Sequence, residues 1–583
     1  MKTNFFKRAA TLLLSAGLIL TTACSDDVPG GENGGKNPEG EVAYVSFSLV
    51  NSSQRGGTKG DAPKGTTSYG TEDENKVNSV LILLYDKDDA EGVVKYRFLL
   101  ENIGTPGVPG SDMLSITPGT NATTYRTKAK PVAKADYKLA VFVNPPTALT
   151  NEGDNTISKV GTKLSVLKAA ATVTVSQLIE TGSEENKKPN FLMSNFTGLV
   201  DVDDETNIMP TPEQAEANGA AVELFVERAV AKVTVAKATE DNFESMTGAN
   251  VGDITWDVDV VNTKTFWMRN AAKMLNPNSN DYPFDKDKQG DTYLVDESST
   301  TAKPAYRYLM YATDPNMSGV SKKGVAGSIQ NYPFTNITSA TRELETYAYV
   351  TENTMDADEQ YEDVTTSVVI AAMITPKETF FAKTLKEKTA EQNSDEYFLF
   401  NNTYVFTRTD INEILAAASD AKTVITSASS SDNDVTWEDL MKVEENQVIS
   451  SLPNILKAIA TSKVDGNDVF DANYFTAEKL STSKDMASGS AVVRFFKSNA
   501  QNYYYVPIRH FDNDLQADAM TYGRYGVVRN NFYKLTLNSI NKYGTATIPD
   551  PEDRKDPDDK ESSWLSVQFE ILSWMERNQG VGL

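Results

Sequence analysis

Trp564-Leu565-Ser566-Val567-Gln568-Phe569-Glu570-Ile571-Leu572-Ser573-Trp574 stands almost at the end of the chain. Leu565, Val567, Phe569 and Ile571 share one face, and Ser566, Gln568 and Glu570 share the other. A period of two belongs to an extended strand with one face buried and one face wet. The stretch before it, Thr545 to Ser563, reads TATIPDPEDRKDPDDKESS. A segment so rich in Pro and Asp cannot bury a core and predicts an extended, solvated spacer. A strongly amphipathic strand is thus held at the end of a linker.

The front of the chain repeats the arrangement. Ala43-Tyr44-Val45-Ser46-Phe47-Ser48-Leu49-Val50 alternates, with Val45, Phe47 and Leu49 on one face. Val28 to Glu41 before it is rich in Gly, Pro, Asn and Glu, and Asn51 to Asp73 after it is rich in Gly, Thr, Lys and Pro. A lone strand gains nothing unless it pairs with a distant sheet. The simplest use of two such strands is exchange: the front one is removed and the back one of a neighbour replaces it. Main-chain hydrogen bonds then give affinity, and alternate side chains give specificity. Arg55, in Gln54-Arg55-Gly56-Gly57, lies in an exposed polar stretch where a trypsin-like protease can cut, and Lys59 is a second candidate. The competing expectation is that the last strand folds back into its own domain.

Burying Leu565, Val567, Phe569 and Ile571 contributes roughly 6–12 kcal/mol. About eight ladder bonds add about 0.5–1.5 kcal/mol each. Ordering the segment costs on the order of 11–20 kcal/mol of backbone entropy. The balance is close, so Trp564 and Trp574 are expected to be buried as well, with slow release preserving any assembly.

Between the two ends lie many short strands. Val77 to Tyr85, Tyr137 to Val143 and Val226 to Val235 are β-branched and bounded by turn residues. Ile254 to Val260, Ala305 to Tyr311, Thr346 to Val350, Thr366 to Ile374, Tyr397 to Leu399, Tyr503 to Ile508 and Phe532 to Leu537 follow. Short helices are expected at Leu164 to Ala170, at Thr211 to Ala221, after Asp410 with Glu413 returning the cap, and at Thr436. The pattern predicts a mainly all-β protein of two β-sandwich domains with Greek-key connections and a few short helices. The expected division is a signal peptide (1–23), a tether (24–42), a removable first strand (43–55), an N-terminal sandwich (56–238), a C-terminal sandwich (239–543), a spacer (544–563) and a final strand (564–583).

Composition narrows the function. The 583 residues include 81 acidic and 56 basic ones, for a net charge of −25. That balance argues against wrapping nucleic acid and against charge-driven adhesion to an anionic membrane. A Cys/His zinc site needs three or four such ligands, and the chain has one His (His510) and one Cys (Cys24). No nucleophile motif accompanies His510 and no GxxxxGK[ST] occurs. Catalytic, cofactor and metal sites are therefore not expected, and a structural or binding protein is. Asp285-x-Asp287-x-Gln289-Gly290 with Asp296 resembles a calcium loop, but its flanks are not helical and an acidic turn is the expectation. Tyr503-Tyr504-Tyr505 reads as a strand with aromatic rings on both faces rather than a carbohydrate platform.

Lys2, Lys7 and Arg8 precede a twelve-residue apolar run, Ala9 to Leu20, too short to span a bilayer. Thr21-Thr22-Ala23-Cys24 resembles a bacterial lipoprotein signal, in which Cys24 is lipidated. Ser25-Asp26-Asp27 resembles the acidic tag of surface-exported lipoproteins in Bacteroidetes.

Taken in order, these features resemble the Bacteroidetes fimbrillins, shaft subunits of type V pili, and within them the major subunits of the short fimbriae. The resemblance rests on the lipoprotein signal, on Val226-Glu227-Arg228-Ala229-Val230-Ala231-Lys232-Val233, and on Tyr349-Val350-Thr351-Glu352-Asn353-Thr354. It rests also on Val528-Arg529-Asn530-Asn531-Phe532-Tyr533 with Ile540, and on the final strand behind its Pro/Asp spacer. It implies sandwiches of transthyretin-like type, export as an outer-membrane lipoprotein, and removal of the anchor and first strand by an arginine-specific protease, here after Arg55. It implies further that the opened groove accepts the final strand of the next copy, building a surface fimbrium that supports adhesion and biofilm formation. The implied partners are further copies of the chain, tip and anchor subunits, the protease, and host or bacterial surface ligands. Residues 1–55 carry equal numbers of acidic and basic groups, so the cut leaves the net charge unchanged. Copies repel at long range, and short-range insertion must hold the polymer. The alternatives are a monomeric surface lipoprotein that binds a glycan or host ligand, and a tip or anchor subunit of the same pilus.

Overall fold

The computed structural model describes residues 42–52, 70–87, 92–118, 122–151, 157–169, 171–181, 188–195, 199–217, 219–268, 334–355, 360–377, 397–400, 404–407, 410, 448–450, 463–464, 467–468, 492–496, 501–510, 524–548, 558 and 565–573. Their regular structure is overwhelmingly strand, interrupted by a few helices of a single turn, so the chain is mainly all-β as expected.

The first half contains β1 (Val42–Val45), β2 (Phe47–Ser52), α1 (Glu72–Asn75), β3 (Val80–Asp86), β4 (Val94–Leu100), β5 (Met113–Pro118), β6 (Ala122–Thr127), β7 (Lys130–Ala133) and β8 (Tyr137–Val143). It continues through α2 (Thr147–Thr150), α3 (Leu164–Leu167), β9 (Ala171–Thr172), α4 (Val175–Ile179), β10 (Glu180–Thr181), β11 (Lys188–Pro189), β12 (Met193–Asn195), β13 (Val200–Val202), α5 (Pro212–Ala215) and β14 (Val222–Arg228). A nine-stranded sheet runs β4-β3-β8-β12-β14-β2-β6-β5, with β13 also on β8. The sheet curls over its own core, because the ring of Phe47 on β2 meets that of Phe98 on β4 with centroids 6.4 Å apart. Val80 to Tyr85 is buried at every position. An unbroken apolar run of this kind belongs to a strand covered on both faces.

The second half contains β15 (Val230–Lys237), β16 (Glu244–Ser245), β17 (Ala249–Asp259), β18 (Val261–Asn262), β19 (Lys264–Thr265), β20 (Phe334–Thr335), β21 (Arg342–Glu343), β22 (Ala348–Thr351), β23 (Ser367–Pro376), β24 (Tyr397–Phe400) and β25 (Tyr404–Phe406). Beyond them come β26 (Val448–Ser450), β27 (Lys463–Val464), β28 (Asn467–Asp468), β29 (Val492–Phe496), β30 (Gln501–Pro507), β31 (Asn531–Ile540) and β32 (Leu565–Ser573). A five-stranded sheet (β16-β31-β15-β22, with β32 on β31) and a four-stranded sheet (β21-β17-β23-β30) share one core. Val233, Leu535 and Val350 from the first pack with Trp256, Ile370 and Tyr504 from the second.

The single strand expected over Val226 to Val235 is two strands in two sheets. β14 ends at Arg228 and β15 begins at Val230, so the chain changes sheets across Ala229, well ahead of residue 238. Ala229 is fully buried and donates its N–H to Leu192 O at 2.9 Å. The halves also interlock: β19 pairs with β9, and Trp267 and Met268 sit in the first core.

Other expectations differ in detail. Leu164 to Ala170 and Thr211 to Ala221 contain only the single turns α3 and α5. Asp410 does not cap its turn. Thr407 does, donating its N–H to Asp410 Oδ2 at 2.7 Å while its Oγ1 accepts from Asp410 N at 3.0 Å. The segments at Asp285–Asp296, Ala305–Tyr311 and Thr436, and Glu413 itself, lie outside the described residues.

Candidate assembly site

Val45, Phe47 and Leu49, expected to share a buried face, are 0%, 0% and 2% exposed and belong to the first core. The front segment is not one strand but two, broken at Ser46. β1 pairs antiparallel with β7, and β2 runs parallel to β14 and antiparallel to β6. Both edges of β1 are engaged: beyond β7, Tyr44 exchanges main-chain bonds with Met209 at 2.8 and 2.9 Å. Both edges of β2 are engaged as well, since it lies inside the sheet between β14 and β6.

The break at Ser46 is fully bonded. Its hydroxyl donates to Ala215 O at 2.7 Å beneath α5, its carbonyl accepts from Val222 N at 3.0 Å, and Phe47 N donates to Thr127 Oγ1 at 3.0 Å. Removing β1 and β2 therefore leaves a slot with a strand edge on each side and an apolar floor. Loss of Val45, Phe47 and Leu49 alone withdraws roughly 4.5–9 kcal/mol of burial. A domain is stable by only about 5–15 kcal/mol, so the slot must be refilled.

The tail strand pairs within its own chain. β32 lies antiparallel on β31, from Asn531↔Ser573 to Ile540↔Leu565, with a register shift between Leu537 and Ser539. Among the described residues, Leu565, Val567, Phe569 and Ile571 thus occupy a strand paired along one edge, whereas Val45, Phe47 and Leu49 occupy strands bonded on both edges. The two expected strands are not brought together. Two described residues of the spacer, Thr545 and Asp558, are bonded to the body of the chain. Thr545 bonds Tyr503 in both directions, at 2.9 and 3.0 Å. Asp558 is buried and accepts from Thr365 Oγ1 at 2.5 Å. Its carboxylate replaces water with a hydroxyl donor, which composition alone does not reveal. Cys24, Arg55, Lys59, Trp564 and Trp574 lie outside the described residues.

A buried polar cluster joins α1 to the second half. Glu74 accepts from Lys232 Nζ at 2.7 Å and from the Tyr349 hydroxyl at 2.6 Å on Oε1, and from Thr71 N at 2.7 Å on Oε2. Arg228 is fully buried and donates to Glu74 O at 3.0 Å, to Asn530 Oδ1 at 3.3 Å and to Asn75 Oδ1. Burial pushes Arg228 down to about 10 against the pull of Glu74, so it stays charged at neutral pH. Burial and the bond to Glu74 push Tyr349 well above its usual value. Nearby, Arg529 donates to Glu352 Oε2 at 3.0 Å and to Phe266 O at 2.9 Å. Sequence reasoning did not foresee this cluster. One half of it had a signal: Thr71-Glu72-Asp73-Glu74 is a capping box, and the structure contains both of its bonds.

The other singled-out residues are held within the fold. His510 is buried, with Nδ1 2.7 Å from the Tyr533 hydroxyl. Tyr504 is buried and donates to Lys542 O at 2.8 Å, while Tyr503 and Tyr505 pack on the opposite face of β30. Among the described residues, Asp136, Asp203 and Asp204 form an acidic cluster, already engaged by Lys87 Nζ and by Asp204 N, each 2.9 Å from Asp136. No helix among the described residues is long and apolar enough to cross a membrane.

Residues 495–580 match the family profile of the major fimbrial subunit protein type IV, fimbrillin, C-terminal. The resemblance to the fimbrillins is borne out over that stretch, which contains β30, β31 and β32. No curated protein matches the chain. Solved structures similar to it include a fimbrilin from Porphyromonas gingivalis W83, at 14% identity over 92% of this chain and 98% of that one, with a TM-score of 0.36. Another is the C-terminally truncated tip fimbrial protein Mfa3 from Porphyromonas gingivalis, at 10% identity over 91% and 100%, with a TM-score of 0.29. A fimbrial assembly protein from Parabacteroides distasonis aligns at 12% identity over 56% and 81%, with a TM-score of 0.24. TM-scores of this size carry no argument about this chain.

Proposed function

We propose that the chain is a fimbrial shaft subunit that polymerises by strand exchange. It is exported as a lipoprotein through Cys24, cut after Arg55, and completed by the tail of the next copy. The observation that carries this reading is the position of β1 and β2. They lead directly into the Arg55 segment, yet β2 holds the interior of the nine-stranded sheet, and β1 is bonded by β7 on one side and by Met209 on the other. A cut there opens a core instead of trimming an edge. The fimbrillin match over residues 495–580 supports the class of protein. The tail supports the mode of assembly: β32 follows a Pro/Asp spacer and, among the described residues, pairs with β31 along one edge. On this reading, a chain with both strands at home is the state before exchange.

The pairing of β32 with β31 also favours a second reading, a monomeric surface lipoprotein that keeps both strands and binds a glycan or host ligand. An arginine-specific protease separates the two. On the shaft reading, N-terminal sequencing of the surface form begins at Gly56, and heat-resistant ladders appear on denaturing gels. Deletion of 564–583 abolishes the ladders. A processed protein that remains a soluble monomer refutes the shaft reading.

A further inference from the structure

The pattern Val-x-Phe-x-Leu/Ile occurs twice in the chain, at Val45-Ser46-Phe47-Ser48-Leu49 and at Val567-Gln568-Phe569-Glu570-Ile571, and nowhere else. The first copy is the buried face of the front segment. The second lies in the tail. We propose, resting on the strand-exchange reading above, that the tail enters the vacated slot in one register. Val567, Phe569 and Ile571 take the places of Val45, Phe47 and Leu49, and the strand runs parallel to β14.

The shapes at the slot select this register. A slip of one residue turns every apolar side chain to the wrong face. A slip of two in one direction sets Phe569 at Val45, Ile571 at Phe47 and Ser573 at Leu49. That overfills one end, leaves a void beside the ring of Phe98, and brings a hydroxyl into an apolar site. A slip of two in the other direction sets Val567 at Phe47 and Phe569 at Leu49, again pairing a void with an overfilled site. The polar position between Val45 and Phe47 argues against the first slip only; the second brings Ser566 to Ser46 and is rejected by the void and the overfilled site alone. Ser46 is 1% exposed and serves the carbonyl of Ala215 with its hydroxyl proton. In the proposed register Gln568 falls there, and its carboxamide offers an N–H to the same carbonyl. The first slip instead brings Glu570, whose ionised carboxylate has no proton to give.

Disulfide trapping tests the register. Cys24 precedes Arg55, so the processed chain contains no other thiol. Val50 pairs with Thr124, Ser52 with Ala122 and Ser48 with Arg126. In the proposed register Leu572 replaces Val50 and faces Thr124 of the next copy. The full chain carrying Leu572→Cys with Thr124→Cys is processed, allowed to assemble and oxidised. Chains carrying Leu572→Cys with Ala122→Cys, or with Arg126→Cys, report the two slips. The expected result is a covalent ladder on non-reducing gels for the Thr124 pair, at roughly tenfold the yield of the other two, since a disulfide needs Cα atoms within about 7 Å.

Glu570→Cys with Arg126→Cys reports the same register and serves if the first pair misfolds. Strongest trapping with Ala122→Cys or Arg126→Cys against Leu572→Cys overturns the register, while non-covalent ladders in the same samples show that exchange itself survives. A disulfide confined to monomers overturns both the register and the exchange. So does the absence of non-covalent ladders in the unsubstituted chain.

Discussion

Lys232 Nζ lies 2.7 Å from Glu74 Oε1, and the two side chains are 3% and 1% exposed. Glu74 belongs to α1, the first described element after Arg55, and Lys232 belongs to β15 of the five-stranded sheet. The pair ties the segment just beyond the expected cut to the C-terminal half. Lys232 also lies 3.7 Å from the centroid of the Tyr347 ring, so the ammonium is enclosed by a carboxylate and an aromatic face. A subunit that loses β1 and β2 keeps this anchor, which holds the new N-terminal segment to the body while the slot stands open.

Removing one partner strands the other charge. Glu74→Ala and Lys232→Met are each expected to cost about 3–5 kcal/mol, seen as a lower urea midpoint for the uncleaved chain. Glu74→Ala with Lys232→Met together should cost less than the sum of the single changes, because contacting partners are not additive. A double variant with fully additive loss refutes the coupling.

The same pair sets a pH dependence. Burial raises the Glu74 carboxyl, but hydrogen bonds from Lys232 and Tyr349, the Lys232 charge and the Thr71 N–H together outweigh it and hold it below the usual range. An unfolded glutamate titrates near about 4.3. The contribution of Glu74 is therefore complete above that pH and is lost as pH falls through its own lower value. Urea midpoints measured from neutral pH down to pH 3 should drop more steeply for the parent than for Glu74→Gln.

Phe47 and Phe569 should separate folding from assembly. Phe47→Ala opens a void in the first core and is expected to cost the uncleaved chain about 3–5 kcal/mol. After processing, the same change should leave the ladders intact, because Phe47 leaves with the propeptide. Phe569→Ala should weaken the heat resistance of the ladders. Equal ladder stability for Phe569→Ala and the parent contradicts the role assigned to the tail.

Arg529 is expected not to tolerate lysine. Its fork serves Glu352 through Nε and Phe266 O through Nη2, and a lysine ammonium cannot reproduce both bonds. Arg529→Lys should lose about 1.5–3 kcal/mol for a charge-assisted bond, with Glu352→Gln giving little further loss in that background.

Strand identity was legible because alternation is local. Tyr137–Val143 appears at its expected limits, and Val45, Phe47 and Leu49 share a buried face as their spacing predicts. Strand limits elsewhere were less legible. Nothing in Val226–Val235 signals that a fully buried alanine carries the chain from one sheet into another, because the residues on both sides of Ala229 are buried and no turn residue separates them. Asp558 was not legible for the opposite reason: acidic composition predicts solvation, and only a distant hydroxyl, Thr365, reveals that this residue is held.

By itself the sequence determined the period-two pattern, the lone cysteine and histidine, the negative charge and the two amphipathic ends. These follow from the order and chemistry of neighbouring residues. Which edges those ends meet was decided only by the tertiary structure. β2 lies between β14 and β6, and β32 lies on β31, because pairing partners distant from one another in the chain or across a spacer are chosen by how closed sheets fill their cores. The Glu74–Lys232–Tyr349 cluster belongs to the same class, since a buried charge is stable only where the fold supplies its counter-charge and donors.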